Sequence, residues 1–182
     1  FRRVLFRSEA GARRAAFAPF DLAQVLADAA EVYGALAEER GQQLQTSWPD
    51  RLEMIGDRDM VLQAIANLLD NAVKFTPIGG TIRLTASAPA RGRREICVSD
   101  EGPGLAPQDR SRAGERFFRA DPSRALPGSG LGLAIVAQIA ADHGGSVRAE
   151  NAPDGGAIVT IALPPAARES DESPAAEPNG DA

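Results

Sequence analysis

The stretch that decides the fold runs from Arg58 to Phe75 and reads RDMVLQAIANLLDNAVKF. Its apolar side chains recur at helical spacing on one packing stripe, formed by Val61, Leu62, Ile65, Leu68, Leu69, Ala72 and Val73. A second arc of the same helix, about 100° wide, is polar and contains Gln63, Asn67, Asp70, Asn71 and Lys74. The sequence therefore predicts a helix that packs on one side and offers polar groups on another.

The polar arc is rich in amides and carries one lysine. Such groups suit a hydrated Mg²⁺ that is held mainly through substrate phosphates, with an amide oxygen as a modest protein ligand. Lys74 would then supply a positive charge to a phosphate. The alternative interpretation is an ordinary solvated helix face, which this helix alone does not exclude.

Further elements are predicted on both sides of this helix. They are helices over 21–40 and 131–142 and extended segments near 44–48, 53–56, 81–87, 95–99, 146–150 and 157–163. Asp21 is the expected N-cap of the first helix, and Gly41 is its expected stop. This order predicts an α/β two-layer sandwich of the α+β kind, with a mostly antiparallel mixed sheet and three helices on one face. The connections are too short for a doubly wound parallel sheet.

A carboxylate and two glycines follow the strand over 95–99, in the order Asp100-Glu101-Gly102-Pro103-Gly104. A carboxylate at a strand end can accept a hydrogen bond from an exocyclic amine such as that of adenine. Glycines allow the backbone to approach a flat base without a Cβ in the way. The alternative is a plain turn, since Asp-Gly and Pro-Gly form turns in many contexts.

A second glycine cluster, Gly128-Ser-Gly130-Leu131-Gly132, opens the helix over 131–142. Free backbone N–H groups and the positive helix end suit a polyphosphate there. The cluster lacks the Gly-Lys-Ser/Thr ending of a P-loop, and no βαβ dinucleotide unit surrounds it. A phosphate cradle of another ATP-binding fold is therefore predicted.

The segment 103–128 is long, irregular and rich in proline, glycine and arginine, which is typical of a functional lid. Phe117 and its neighbour Phe118 are its aromatic anchors. Arg119 and Arg124 are placed to reach a γ-phosphate, although each could be an ordinary solvated loop arginine.

Composition excludes several other classes of function. One cysteine, Cys97, rules out an internal disulfide framework and fits a reducing compartment. The formal net charge of −5 gives no basic footprint for nucleic acid. The longest apolar run, over 131–141, is too short to span a bilayer.

His143, the single histidine, lies in a helix-ending His-Gly-Gly, where we expect a structural cation that complements the helix dipole. No metal cage of Cys, His and acids and no Gly-x-Ser-x-Gly elbow is present.

Taken together, the motifs resemble the catalytic ATP-binding domain of bacterial sensor histidine kinases, within the GHKL superfamily. The similarity extends over about residues 20–164 and implies the Bergerat ATP-binding fold. The stretch 67–74 resembles the N box, Asp100-x-Gly102-x-Gly104 the G1 box, Arg116-Phe117-Phe118-Arg119 the F box, and Gly128-x-Gly130-Leu131-Gly132 the G2 box. Gly155-Gly156 is a weaker match to a late glycine pair of the family.

The resemblance implies roles for individual residues. Asn71 would bind Mg²⁺ with Asn67 assisting, Lys74 would contact a phosphate, and Asp100 would bind adenine. The remaining nucleotide contacts would come from Gly102, Gly104, Phe117, Arg119, Arg124, Gly128, Gly130, Leu131 and Gly132. The implied cofactors are ATP and Mg²⁺.

Position 67 also separates transfer from hydrolysis. The hydrolysing members of the superfamily have a glutamate where Asn67 stands, so an amide there fits transfer of the γ-phosphoryl group to a nucleophile from another domain.

The family's phosphoacceptor histidine lies upstream on a dimerising helical hairpin and does not occur in this sequence. Gly114 also replaces a bulky apolar residue that usually precedes the F box. We therefore expect this chain to bind ATP without phosphorylating itself.

The implied partners are that phosphoacceptor domain of the same kinase and the receiver domain of a response regulator, with no nucleic acid. The full-length protein is expected to be a cytoplasmic homodimer or one anchored in the inner membrane by an upstream region. Two alternatives stay open: a free-standing GHKL serine kinase of the anti-sigma type, and a non-catalytic nucleotide-sensing module.

The expected organisation is one ATP-binding domain over 20–165, which contains the lid over 103–128. Residues 9–19 would be the remnant of the linker to the phosphoacceptor domain, and the acidic residues 166–182 would be disordered. Residues 1–8 match the translation of a common sequencing adapter, so we expect a non-native arm there, the alternative being an ordinary basic arm.

Overall fold

The computed structural model of the chain describes residues 17–89, 92–104 and 131–165, with the backbone alone for Leu131. In chain order the elements are β1 (Ala18–Asp21), α1 (Leu22–Glu39), β2 (Gln43–Ser47), β3 (Glu53–Gly56), α2 (Arg58–Phe75), β4 (Thr81–Ser87), β5 (Arg94–Asp100), α3 (Leu131–Asp142), β6 (Ser146–Asn151) and β7 (Ala157–Leu163). Every predicted helix and strand is present, within one residue of its predicted bounds.

The main sheet has five strands in the order β2-β4-β5-β7-β6. The β2–β4 pair is parallel, and the β4–β5, β5–β7 and β6–β7 pairs are antiparallel. A separate two-stranded antiparallel sheet joins β1 to β3. The predicted mixed, mostly antiparallel sheet is confirmed, whereas β1 was not predicted, because a four-residue strand that contains proline has no clear alternation.

Helices α1, α2 and α3 cover one face of the main sheet, with α2 packed between the other two. On β4 the inward side chains Ile82, Leu84 and Ala86 are buried, while the alternate residues are more exposed. On α2 the predicted stripe is buried except for Leu62, which is half-buried, and Ile65 and Leu69 are completely buried. The buried residues thus recur with a period of two on the strand and of 3.6 on the helix. The core therefore lies between the sheet and the helices, as the predicted α/β two-layer sandwich requires.

Side chains hold both ends of α2. Asp57 is the N-cap, and its Oδ1 accepts hydrogen bonds from the backbone N–H groups of Asp59 and Met60, each at 3.1 Å. At the other end, the buried Gln42 donates from Nε2 to the carbonyl oxygens of Val73 and Thr76. These contacts fix the helix that carries the polar arc.

His143 has the predicted structural role but not the predicted charge. The residue is 94% buried, and its Nε2 accepts a hydrogen bond from the backbone N–H of Asp57 at 3.0 Å. Nδ1 therefore carries the proton and donates to the carbonyl oxygen of Ile139 at 2.8 Å. The expectation of a cation at this helix end is wrong, because a backbone donor needs a lone pair on Nε2.

In the described part of the chain, no helix is long and apolar enough to cross a membrane.

Candidate functional site

The polar arc of α2 meets the first turn of α3. A Cβ built on Gly132 would lie 3.1 Å from Nδ2 of Asn71 and 3.6 Å from Oδ1 of Asn67. Both asparagines are half-buried. The structure thus brings together three of the predicted site residues, and glycine at 132 allows the two helices to approach at this point.

The amide of Asn67 has a defined orientation. Its Nδ2 donates to the carbonyl oxygen of Gln63 at 2.8 Å, one helical turn earlier. The oxygen is therefore the atom presented towards α3. Amide oxygens are suitable ligands for hard cations such as Mg²⁺.

Asp70 belongs to a different contact from the two asparagines. The hydroxyl of Tyr33, on α1, donates to Oδ1 of Asp70 at 3.0 Å. Burial, this hydrogen bond and the negative charge of Asp70 raise the pKa of Tyr33 to about 12. The predicted polar arc is thus divided: its acid faces α1, and its amides at 67 and 71 face α3.

Lys74 is exposed and lies about one turn beyond Asn71. Its Nζ lies 5.2 Å from the centroid of the Phe75 ring. A flexible, exposed ammonium on the same arc as the asparagines can supply positive charge to an anion bound beside them.

The carboxylate of Asp100 is the centre of a second group of residues, at the end of β5. Its Oδ1 accepts hydrogen bonds from the backbone N–H of Gly102 at 2.8 Å and of Ala157 at 3.4 Å. Burial raises the pKa of Asp100, and these two hydrogen bonds oppose part of that effect. The carboxylate is therefore oriented and partly shielded from water.

Gly102 connects this group to α2. A Cβ on Gly102 would lie 2.8 Å from both Oδ1 of Asp100 and the carbonyl oxygen of Phe75. Gly104 has a φ of +77°, and a Cβ there would lie 3.0 Å from the side-chain amide of Asn151. The two predicted glycines thus permit close backbone packing around Asp100, as a turn that contacts a flat ligand requires.

The turn between β6 and β7 contributes residues that the sequence interpretation did not assign. Gly156, at a φ of +94°, lies against the backbone carbonyl of Asp100, where a Cβ would overlap it. The next residue, Ala157, donates to the Asp100 carboxylate. The only hint of this contact in the sequence was the pair Gly155-Gly156. Its partner in space, Asp100, lies 56 residues before Gly156 in the chain, so the sequence did not indicate that the two meet.

Glu101 also contributes to this turn. Its Oε2 accepts a hydrogen bond from the backbone N–H of Thr81 at 3.0 Å, and its Oε1 lies 3.4 Å from the guanidinium of Arg83. These contacts tie the Asp100 turn to the first residues of β4.

The remaining predicted site residues Phe117, Arg119, Arg124, Gly128 and Gly130 lie outside the described residues, as does nearly all of the segment 103–128. The backbone of Leu131 begins α3 as described.

The described residues fit a nucleotide. Asp100 offers a partly shielded carboxylate to an amine, and glycine at 102 lets the turn pack closely against Asp100 and the end of α2. The amide pair could hold a cation, and the positive end of α3 beside it suits the negative charge of a phosphate. Within the described residues, no cluster of three or more His, Cys, Asp or Glu side chains could hold a metal ion.

This fold and this pair of subsites define a nucleotide-binding α/β sandwich. The family model described as "Histidine kinase-, DNA gyrase B-, and HSP90-like ATPase" matches residues 56–167. The chain belongs to this family, and it is an ATP-binding domain. The resemblance seen in the sequence is confirmed.

Known proteins of the same kind are sensor histidine kinases. The chain is 40% identical over 147 residues to the sensor-like histidine kinase SenX3 of Mycobacterium tuberculosis, covering 79% of this chain and 35% of SenX3. The structure of the mycobacterial sensor histidine kinase MprB is 34% identical with a TM-score of 0.67, over 82% of this chain and 98% of that one. Full-length ShkA in complex with AMPPNP is 36% identical with a TM-score of 0.66, over 81% of this chain and 31% of that one. The chain spans about a third or less of the length of the curated kinases it matches.

Proposed function

We propose that this chain is the ATP-binding portion of a two-component sensor histidine kinase. In this proposal it presents the γ-phosphoryl group of ATP to a histidine on a separate helical domain, from which the phosphate passes to the receiver domain of a response regulator. The observation that carries it is the placement of Asn67 and Asn71 against Gly132, while Asp70 is bound to Tyr33.

The side chains that face α3 favour transfer over hydrolysis. Activation of a water molecule needs a general base, and the acid on this arc is turned towards α1. Phosphoryl transfer depends mostly on positioning and on neutralisation of charge, which amides, a lysine and a helix terminus can support. The nucleophile would then come from another domain.

For the metal we propose Asn71 as the ligand and Asn67 as its assistant. When bound, Mg²⁺ would neutralise part of the phosphate charge. Lys74 would add a positive charge, Asp100 would bind the adenine amine, and Gly102 and Gly104 would admit the base. The other nucleotide contacts in this proposal are Phe117, Arg119, Arg124, Gly128, Gly130, Leu131 and Gly132.

The names of SenX3 and MprB, both sensor histidine kinases, support this assignment. We infer that the ATP-binding domain covers 20–165 and is joined through 9–19 to the phosphoacceptor domain. We also infer a cytoplasmic location for it within a full-length homodimer, with or without an inner-membrane anchor upstream.

The test is a transfer assay with separate parts. The chain would be mixed with the helical histidine domain encoded upstream in the same gene, γ-labelled ATP and Mg²⁺. We expect acid-labile label on the helical domain and none on the chain alone.

Three other outcomes of this assay would favour a different function or contradict part of the argument. Acid-stable label on serine of a partner would favour the anti-sigma type of kinase. Binding of ATP without any transfer would favour a nucleotide-sensing module. Release of inorganic phosphate without transfer would contradict the argument from the amides.

A further inference from the structure

We infer that His143 is a positioning residue for the phosphate-binding end of α3. This inference rests on the proposed nucleotide site, and it concerns a side chain at the opposite end of the helix from Gly132. The two positions are eleven residues apart, which corresponds to a distance of about 16 Å along a helix.

The first step of the argument is that His143 joins α3 to α2. Nδ1 donates to Ile139, in the last turn of α3, and Nε2 accepts from the backbone of Asp57. Asp57 is the N-cap of α2, and its carboxylate accepts hydrogen bonds from the first turn of that helix. One buried ring therefore connects the end of α3 directly to the start of α2.

The second step is that the other end of α3 meets α2 at the asparagines. Gly132 approaches Asn71 closely enough that a Cβ would lie 3.1 Å from its amide nitrogen. Helix α3 is thus held against α2 at two points near its two ends. Because a helix of this length is stiff, a change at His143 alters the tilt of α3 and with it the spacing between Gly132 and Asn71.

The third step is that the surroundings of His143 are specific for a planar ring. A Cβ on Gly56 would lie 2.7 Å from Cδ2 and 2.9 Å from Nε2 of this ring. On another side, Phe17 stacks on it with 4.6 Å between ring centroids and 20° between planes. A smaller side chain would leave space there and remove the hydrogen-bond partner of the partly buried N–H of Asp57.

The fourth step separates phosphate from adenine. The Asp100 carboxylate is held by Gly102, just after β5, and by Ala157, at the start of β7, and neither residue lies on α3. A tilt of α3 would therefore disturb the phosphate end of a bound nucleotide and leave the adenine end in place.

The experiment compares the affinity of the chain for ATP with its affinity for adenosine, both measured by calorimetry or displacement in the presence of Mg²⁺. His143→Ala should weaken ATP binding about tenfold, equivalent to about 1.4 kcal/mol. Adenosine binding should change less than about twofold. An equal change for both ligands, or no change for either, would overturn the inference.

Two conservative variants keep the test valid if the alanine variant does not fold. His143→Gln can still accept the hydrogen bond from Asp57, whereas His143→Asn can still donate near Ile139 but is too short to reach Asp57. We expect the glutamine variant to retain most of the preference for ATP over adenosine and the asparagine variant to lose it. Indistinguishable preferences would contradict the role of the Asp57 contact.

A stability control removes the merely structural explanation. Ile96→Val, buried on β5 and paired with Ala86 and Ile161, should lower the melting temperature without changing the ratio of the two affinities. If it changes that ratio as His143→Ala does, the effect is general loosening and the inference fails. If the unmodified chain binds no ATP, the proposed function itself is wrong, and the inference falls with it.

Discussion

The backbone of Gly156 lies directly against the carbonyl oxygen of Asp100, so that any side chain at 156 would overlap that oxygen. The residue after it, Ala157, donates its N–H to the Asp100 carboxylate. The turn between β6 and β7 therefore supports the adenine-binding group proposed at the end of β5. This support needs a glycine, because the φ of Gly156 is +94°.

Gly156→Ala should lower both stability and ATP affinity. Positive φ alone costs a non-glycine residue of order 1–3 kcal/mol, and the overlap with Asp100 adds to that cost. Chemical denaturation and ATP titration measure the two effects.

Gly155→Ala is the matched control for this prediction. Gly155 has a similar φ of +98°, but a Cβ there would meet open space. We expect it to lose stability through strain and to keep its ATP affinity. If both variants lose ATP affinity equally, the contact with Asp100 is not what matters.

Asp100→Asn should reduce the preference for ATP over GTP. Both backbone hydrogen bonds reach Oδ1, so in the described structure Oδ2 is the oxygen open to an adenine amine. An asparagine can accept those backbone bonds through its oxygen and would then present an NH₂ group, which cannot accept from the amine. ATP affinity should fall by about 1.5–3 kcal/mol, the usual contribution of a hydrogen bond to a charged group. Paired titrations with ATP and GTP measure it, and an unchanged ratio of affinities would refute the assignment.

The same substitution has a pH signature. Burial raises the pKa of Asp100 above its ordinary value of 3.8, so the folded state holds this proton more tightly than the unfolded state does. The ionised carboxylate therefore opposes folding above its folded pKa, and this cost disappears as the pH falls through that pKa towards 3.8. Relative to Asp100→Asn, the unmodified chain should gain stability over that interval, as measured by thermal unfolding at a series of pH values.

Asn71→Ala should remove the dependence of nucleotide binding on Mg²⁺ while leaving the fold intact. Asn71 lies on the polar arc and is half-buried beside Gly132, so its loss opens no large cavity in the core. ATP titrations with Mg²⁺ and with a chelator provide the measurement. Gln63→Ala, an exposed residue on the same arc, is the control and should bind ATP normally. An Asn71→Ala protein with unchanged Mg²⁺ dependence would rule out this ligand.

Tyr33→Phe should remove a loss of stability at alkaline pH. Burial and Asp70 raise the pKa of Tyr33 from 10.0 to about 12. The protonated side chain therefore contributes to the stability of the fold fully below pH 10, and this contribution is lost as the pH rises to about 12. The phenylalanine variant lacks the titrating group, so its stability should fall less over that interval. Since Tyr33 is the single tyrosine, phenolate absorbance reports its ionisation directly. In Asp70→Asn the titration should move towards 10, and a titration near 10 in the unmodified chain would contradict the Asp70 contact.

Local patterns in the sequence were sufficient for the class of protein and for every described helix and strand except β1. The helix over Arg58–Phe75 and its buried stripe follow from a period of 3.6, and the strand over Thr81–Ser87 follows from a period of two. Four motifs, at 67–74, 100–104, 116–119 and 128–132, together indicated the family, and each could be found because it is short and contiguous.

The tertiary structure alone decided how these parts meet. It turned Asp70 towards Tyr33, and it turned Asn67 and Asn71 towards Gly132. The sequence had placed the acid and both asparagines on one polar arc. It paired β1 with β3 and made β2 parallel to β4.

It also placed Gly156 against Asp100 and made His143 a neutral acceptor for Asp57. Each of these contacts joins residues far apart in the chain, and such contacts depend on how helices and strands pack together. The sequence by itself therefore determined the elements and the family, while only packing decided which polar groups share a site.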